Sequence, residues 1–316
     1  MKHIAILLYD DVLLLDASGP AEVFSMANRH LAPDDHYRIS TIGTSEGAIS
    51  ASNGMRLLSD HHMDAAPADI DLLLVPGGPA AYNGDHGIML PWLRRVSESA
   101  SGYGSICTGA FILGDAGLLD GRMVVTHWNY SEQLARRFPR AKVETDRIYV
   151  RDGKLITSGG ITAGIDMALA IVEEDHGKAV AVKVAKVLLV AMKRQGGQAQ
   201  FSPLLGELGK LDSHIARAQR YALDNLDQEL TISGLAAIAE LSPRHFARLF
   251  ARETGMTPMD FIHNARVDRA RQLLESSDLP LKTVAYRCGF RSVRCMRIQF
   301  AERLGLTPMQ YRHQFG

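Results

Sequence analysis

The sequence predicts an α/β domain built on a mostly parallel sheet, followed by an all-α domain with two helix-turn-helix units. Three observations predict it. From His3 to Glu174, short apolar runs alternate with helical patterns, as in a layered α/β domain. Near the C-terminus, a fixed offset of 50 residues links Arg244-His245-Phe246 to Arg294-Cys295-Met296. The same offset links Phe250, Gly255, Thr257-Pro258-Met259 and Phe261 to Phe300, Gly305, Thr307-Pro308-Met309 and Tyr311. An offset that recovers aromatic, glycine and proline positions together points to one structural unit used twice. Between these regions, Arg194 to Lys210 holds four glycines and a proline and reads as a linker. The expected domains are 1–192 and 213–316, joined by 193–212.

In chain order, His3–Tyr9 (HIAILLY) reads as a buried strand, and Gly19-Pro20 opens a helix through Glu22, Phe24 and Asn28. Tyr37–Ile42 is a second strand, and Ile70–Val75 a third that ends at Pro76-Gly77-Gly78. Trp92 to Ser97 lies in a helix. Tyr103–Ile106 is a strand that runs into Cys107-Thr108-Gly109 and the helix Ala110–Gly114. Val124-Val125, Ile148–Val150 and Leu155–Thr157 give further strands, and Ile161–Glu174 the last helix. Ala179–Met192 is apolar on more than one face, which suits packing on the α/β domain or pairing with a second subunit.

The first helix-turn-helix is placed at about 231–254 and the second at about 281–304. Leu235, Ala236, Ile238 and Ala239 make a short amphipathic helix, with a turn at Glu240-Leu241. Ser242-Pro243 reads as an N-cap followed by proline at the first helical position. Phe246, Leu249 and Phe250 fall at i, i+3 and i+4 and face inward. Arg244, His245 and Arg248 remain outside, and Gly255 ends the helix. Arginines on one helix are also what a solvated face carries. Arg291, Arg294 and Arg297 at the corresponding place in the second copy favour base and phosphate contact instead. With the cap positions Ser242 and Ser292, these residues are the candidate DNA contacts.

The formal net charge is zero, yet unevenly spread. From Asp212 onward there are 15 Lys and Arg against 11 Asp and Glu, and before it 20 against 24. A mildly basic tail on an acidic body suits nucleic-acid binding by the tail. Three cysteines (Cys107, Cys288, Cys295) are too few for a disulfide framework, and the last two lack zinc-type spacing. Asp10, Asp11 and Asp16 interrupt the first apolar run, so no signal peptide is expected. No stretch approaches the roughly 20 apolar residues of a membrane span. A cytoplasmic protein without metal or cofactor is expected.

In a parallel sheet the site lies beyond the carboxyl ends of the strands. Asp16 and Glu22 follow the first strand, Gly77-Gly78 the third, Cys107 the next, and Thr126-His127 comes after. The Cys107 segment has the form of a nucleophile elbow, with the side chain expected at an exposed tip. The helix N-terminus there favours thiolate. Glu22 is placed to share a proton with that thiol, and His127 to act as base or donor. Each has a plainer reading: a small buried cysteine, a wall histidine, and an acid in a helix's first turn.

Residues 213–315 resemble the AraC/XylS family of bacterial transcription regulators through LSPRHFARLFARETGMTPMDFI, ARVDRARQLLES, VAYRCGFRSVRCMRIQF and GLTPMQYR. The resemblance implies seven helices, two helix-turn-helix units and a long joining helix at about 258–276. It also implies reading helices in successive major grooves, about 34 Å apart. The second unit departs from the family pattern: Ile298 stands where a basic residue is usual, and polar Gln299 at an inward-looking position. Residues 1–190 resemble the ThiJ/PfpI family, within the class I glutamine amidotransferase-like superfamily. LDASGPAEVF, VPGG, SICTGAFILGDAGLLDGR, THW and ITSGGITAGIDMALAIVEE carry that resemblance. It implies a flavodoxin-like sandwich with Glu22 and Cys107 at the family's acid and nucleophile positions. Family peptidases have His after the Cys, where this chain has Thr108, so peptidase activity is not expected. Cys-Thr-Gly and Thr-His-Trp are shared with isonitrile hydratases, in which the Asp16, Cys107 and Thr108 positions matter.

Together the two resemblances describe a GlxA-type regulator. They imply a dimeric protein, commonly an activator working with RNA polymerase on double-stranded DNA. Asp16, Glu22, Gly77, Gly78, Cys107, Thr108 and His127 would hold a small nitrogenous effector. Two alternatives are an enzyme of isonitrile-hydratase or glyoxalase type, and a redox sensor at Cys107.

Overall fold

A computed structural model describes residues 1–190, Gln198 and 213–315. The chain divides into two compact units, Met1–Arg194 and Gln195–Gly316. The expected linker, 193–212, lies outside the described residues except for Gln198, as do 191–192 at the end of the Ala179–Met192 stretch.

The first unit runs β1 (Lys2–Leu8), α1 (Leu14–Asn28), β2 (Tyr37–Gly43), β3 (Ala48–Ser50), β4 (Arg56–Leu58), β5 (His61–His62) and β6 (Leu72–Val75). It continues through α2 (Pro79–Asn83), α3 (Leu90–Ser99), β7 (Gly102–Ile106), α4 (Gly109–Asp115), β8 (Met123–Val124) and α5 (Ser131–Arg137). Then come β9 (Lys142–Val143), β10 (Tyr149–Asp152), β11 (Leu155–Ser158), α6 (Ala163–His176) and α7 (Lys178–Val187). The main sheet has the order β10-β11-β7-β6-β1-β2-β5. Every pairing in it is parallel except β10 with β11. β1 is central and buried from His3 to Leu8, which is why its sequence is continuously apolar rather than alternating. The chain passes from β1 to β2 on one side and later fills the other side with β6 and β7. A crevice therefore opens beyond the carboxyl ends of β1, β6 and β7.

The helix start is corrected, and two details go beyond what was expected. The helix expected from Gly19-Pro20 begins at Leu14 and keeps Pro20 inside. A proline there removes the amide that would bond the Asp16 carbonyl. Close packing compensates: a Cβ on Gly19 would lie 3.1 Å from Ile165 Cγ1, and one on Gly164 would lie 3.3 Å from Pro20 Cγ. Small residues thus let α1 and α6 approach. Val124 belongs not to the main sheet but to a two-stranded ribbon with Val143; Val125 is tied to the main sheet only by its N–H, which donates to Thr157 Oγ1 at 2.9 Å. The β3–β4 hairpin was not expected, because Ile49 is its one fully buried apolar side chain. α7 packs on α6 and α1 through Ala181, Val184 and Ala185.

The second unit is all helix: α8 (His214–Asp224), α9 (Ile232–Ile238), α10 (Pro243–Thr254), α11 (Pro258–Ser276), α12 (Leu281–Arg287), α13 (Val293–Leu304) and α14 (Pro308–Phe315). It holds two cores. Phe246, Phe250, Phe261 and Ile262 anchor one. Met296, Phe300 and Tyr311, with Val267, Ala270 and Leu274, anchor the other. The front of α11 serves the first core and its back the second, so this helix is the spine between them. The sequence repeat is also a structural one. α10 and α13 begin and end 50 residues apart. Ser242 and Ser292 cap them by accepting from His245 N and Cys295 N. Gly255 (φ 72°) and Gly305 (φ 67°) close them in the left-handed conformation. The preceding turns fall out of register: Glu240 (φ 56°) corresponds to Gly289 (φ 76°), which is 49 residues on. The second turn therefore carries one extra residue before its cap, and that residue is Arg291.

Candidate functional site

The elbow forms where β7 ends. Cys107 has φ 56°, a left-handed conformation that costs a non-glycine residue about 1–3 kcal/mol. Its surroundings hold it there. Its N–H donates to the carbonyls of Ser158 (3.1 Å) and Gly159 (2.7 Å), and its carbonyl accepts from Thr126 Oγ1 at 2.7 Å. Gly109 starts α4 without a side chain because a Cβ would meet the Val75 carbonyl oxygen at 2.1 Å. The turn is thus wedged between β6 and β11.

Asp16 is fully buried on the inward face of α1, and its Oδ2 accepts from Gly77 N–H at 3.0 Å. A Cβ on Gly77 would come within 2.7 Å of both Asp16 Oδ2 and Thr108 N. Thr108 Oγ1 accepts from Gly78 N–H at 2.9 Å and donates to the Gly78 carbonyl at 3.1 Å. Asp16, Gly77, Gly78, Cys107 and Thr108 are therefore one interlocked cluster. The amides of Gly77 and Gly78 already have partners inside the protein. Asp16 Oδ1 is buried without a hydrogen bond of ordinary geometry, and the Cys107 thiol is the group placed to supply one.

Burial pushes the Asp16 carboxyl up to about 7, against the opposing pull of the Gly77 N–H and the Cys107 thiol. Burial also pushes the Cys107 thiol up to about 12, and the Asp16 charge adds to it. The backbone N–H groups of Thr108 and Ile161 aim at the sulfur and pull the other way, but they lose. The expected thiolate at an exposed tip is thus corrected: Cys107 is 5% exposed and carries its proton. Glu22 is corrected as well. It is exposed, and the carboxyl that faces the thiol belongs to Asp16. Six residues along a helix amount to about 240° of turn, so Asp16 facing inward puts Glu22 elsewhere.

His127 is half-buried, and burial lowers its pKa, so the ring is neutral at pH 7. Nδ1 accepts from Asn129 N–H at 3.3 Å, and the ring covers Gly160, where a Cβ would meet it at 2.1 Å. It heads an aromatic wall. Its ring centroid lies 5.4 Å from that of Trp128 and 6.0 Å from that of Tyr130. Tyr130 OH donates to Tyr82 OH at 3.1 Å. Tyr130 lies within electrostatic reach of the Cys107 sulfur, which places the wall near the elbow. Sequence reasoning did not find Tyr9, Ile161 or this tyrosine pair. Tyr9 ends the first apolar run and donates to the Pro76 carbonyl at 2.7 Å; its position after β1 was the available signal.

In the second unit Arg244, His245 and Arg248 are exposed on α10, and Arg294 and Arg297 on α13. The hydroxyls of Ser242 and Ser292 accept the cap bonds, and Arg291 pairs with Glu229 at 3.1 Å, both largely exposed. Among the described residues no helix is long and apolar enough to cross a membrane.

An elbow-type α/β unit followed by paired helix-turn-helix units defines a DNA-binding regulator with an added α/β unit. The chain belongs to the DJ-1/PfpI family, whose model matches residues 2–174; a helix-turn-helix domain matches residues 235–314. It is similar to the HTH-type transcriptional regulator CdhR of Pseudomonas aeruginosa, at 32% identity over 92% of this chain and 85% of that one. It is similar to the HTH-type transcriptional regulator GlxA of Rhizobium meliloti, at 27% identity over 100% and 97%. The crystal structure of Drosophila melanogaster DJ-1beta matches 60% of this chain and 98% of its own, with TM-score 0.53 and 25% identity. These full-length relatives are transcription regulators rather than enzymes. The chain is accordingly an AraC-type DNA-binding regulator with a DJ-1-like first unit.

Proposed function

We propose that this regulator responds to a small nitrogenous metabolite held at the elbow, and that the response activates transcription through RNA polymerase contact by a homodimer. The neutral, buried thiol carries this reading. An attacking cysteine needs its thiolate within reach of pH 7, whereas burial and Asp16 hold Cys107 up to about 12. The Gly77 and Gly78 amides are already bonded within the protein rather than free to hold a developing oxyanion. What the cluster offers for recognition is a buried carboxyl at Asp16 and, on the Cys107 side, the wall of Trp128, Tyr130 and Tyr82. A carboxyl next to aromatic faces suits an ammonium group, which is attracted to ring faces by about 0.5–2 kcal/mol.

Isothermal titration of the full chain with amino acids, betaines and secondary amines tests the ligand class. A saturable heat lost in Asp16→Ala supports it; heat only with uncharged or anionic compounds counts against it. Genome-wide occupancy of the tagged protein tests the regulator and nominates the operon. Cys107→Ala separates sensing from chemistry: a reporter that still responds fully excludes both an enzymatic and a thiol-redox signal.

A further inference from the structure

We propose that the second unit reads its half-site through an apolar contact, with Ile298 seated on the methyl group of a thymine in the major groove. This rests on the DNA-reading assignment above. The internal repeat supplies the placement. α10 and α13 start, cap and close in step, and they bury Phe246 and Phe250 against Met296 and Phe300. Position 298 therefore presents as position 248 does, and position 295 as position 245.

Along this face the two helices differ in kind. α10 shows Arg244, His245 and Arg248, whereas α13 shows Arg294, Cys295 and Ile298 at the same places. Ile298 is 44% exposed, and Cys295 is exposed beside it. Both line a groove of about 1020 Å³, with His263 and Arg266 of α11 among its other walls. A β-branched aliphatic on the outside of a helix adds nothing to the core and lowers helix propensity slightly. In the major groove only thymine presents a methyl group, and aliphatic contact with it is the way to read it without hydrogen bonds. Arg297, one position before Ile298, remains exposed for phosphate or a neighbouring guanine. The two half-sites are then unequal, one read through Arg248 and the other through Ile298, so a single protomer sits on DNA in one direction.

The test is selection from randomised duplexes by the full chain, then competition binding with each thymine of the selected site replaced singly by deoxyuridine, which lacks only the methyl. Arg248→Ala assigns the half-site read by α10. In the other half-site, one deoxyuridine is expected to weaken wild type about fourfold, the worth of one buried methyl. Ile298→Ala should be indifferent at that position, and Ile298→Arg should shift its preference to guanine. Circular dichroism melts of both variants should match wild type, since the side chain is outside the core. A wild type insensitive to every deoxyuridine in that half-site overturns the proposal and leaves the regulator reading standing. So does an Ile298→Ala protein that keeps the wild-type loss. A wild type that selects no site at all overturns the regulator reading, and this proposal with it.

Discussion

At Asp16 the fold holds a carboxyl group that water would ionise. Its folded pKa of about 7 lies above the ordinary value of 3.8, so between those two the native state keeps a proton that the unfolded chain has released. Stability from this group is full below about pH 4, falls as pH rises to about 7, and is level above, a loss on the order of 4 kcal/mol. His127, with its lowered pKa, acts in the opposite direction as pH falls. The difference between wild type and Asp16→Asn isolates the carboxyl. The variant is expected to gain on wild type steadily from pH 4 to pH 7 in urea melts. Parallel curves would remove Asp16 as a buried acid. The same residue makes the effector's charge measurable. A cation bound beside Asp16 favours the ionised carboxyl, so binding at pH 7 should release up to about half a proton. Titration in two buffers of different ionisation enthalpy reads this directly, and proton uptake would mean an anionic effector.

At the scale of elements, what was legible followed from local rules. β1 and β6 were readable because burial on both faces makes them almost continuously apolar, whereas β5, only His61–His62, carries no apolar signal and was not read. The reading helices were readable because cap serine, inward apolar side chains and terminal glycine agree with one another and recur 50 residues later, although Pro243 gives way to Val293 and Phe246 to Met296. The pairing of Asp16 with Cys107 was implied by the isonitrile-hydratase resemblance but not legible in the local pattern. Gly19-Pro20 looks like a helix start, and a helix begun there carries Asp16 outside it and brings Glu22 forward. Only the close approach of α1 to α6 shows why proline is tolerated inside. The thiol's burial depends on strands and turns distant in sequence and left no local trace. The caps themselves can be weighed. Ser242→Ala removes an acceptor for His245 N–H and should cost about 1 kcal/mol. Gly109→Ala is a different matter, since its methyl would collide with the Val75 carbonyl. It is expected to reduce stability by more than the cap variant and to abolish effector binding, whereas Ser242→Ala should leave effector binding unchanged. Equal melts for the two glycine forms would show that the elbow can open.

At the scale of the whole molecule, the DNA-binding helices and the unit proposed to sense the effector are separate and compact, each with its own core. Coupling between them is then a free energy shared by two sites and must be reciprocal. If the effector tightens operator binding tenfold, the operator must tighten effector binding tenfold, whatever the path between the units. The excess of basic residues from Asp212 onward adds a salt-dependent contribution to operator affinity, because counterions leave the DNA as the arginines arrive. That contribution belongs to the second unit alone. Raising salt should therefore lower operator affinity steeply while the coupling factor, a ratio at fixed salt, changes little. The check is a complete cycle on the full chain at two salt concentrations: operator affinity with and without effector, and effector affinity with and without operator. Closure of the cycle with a factor above one establishes an effector-controlled regulator. A factor of one at both salts would mean that the first unit, whatever it binds, does not speak to the DNA.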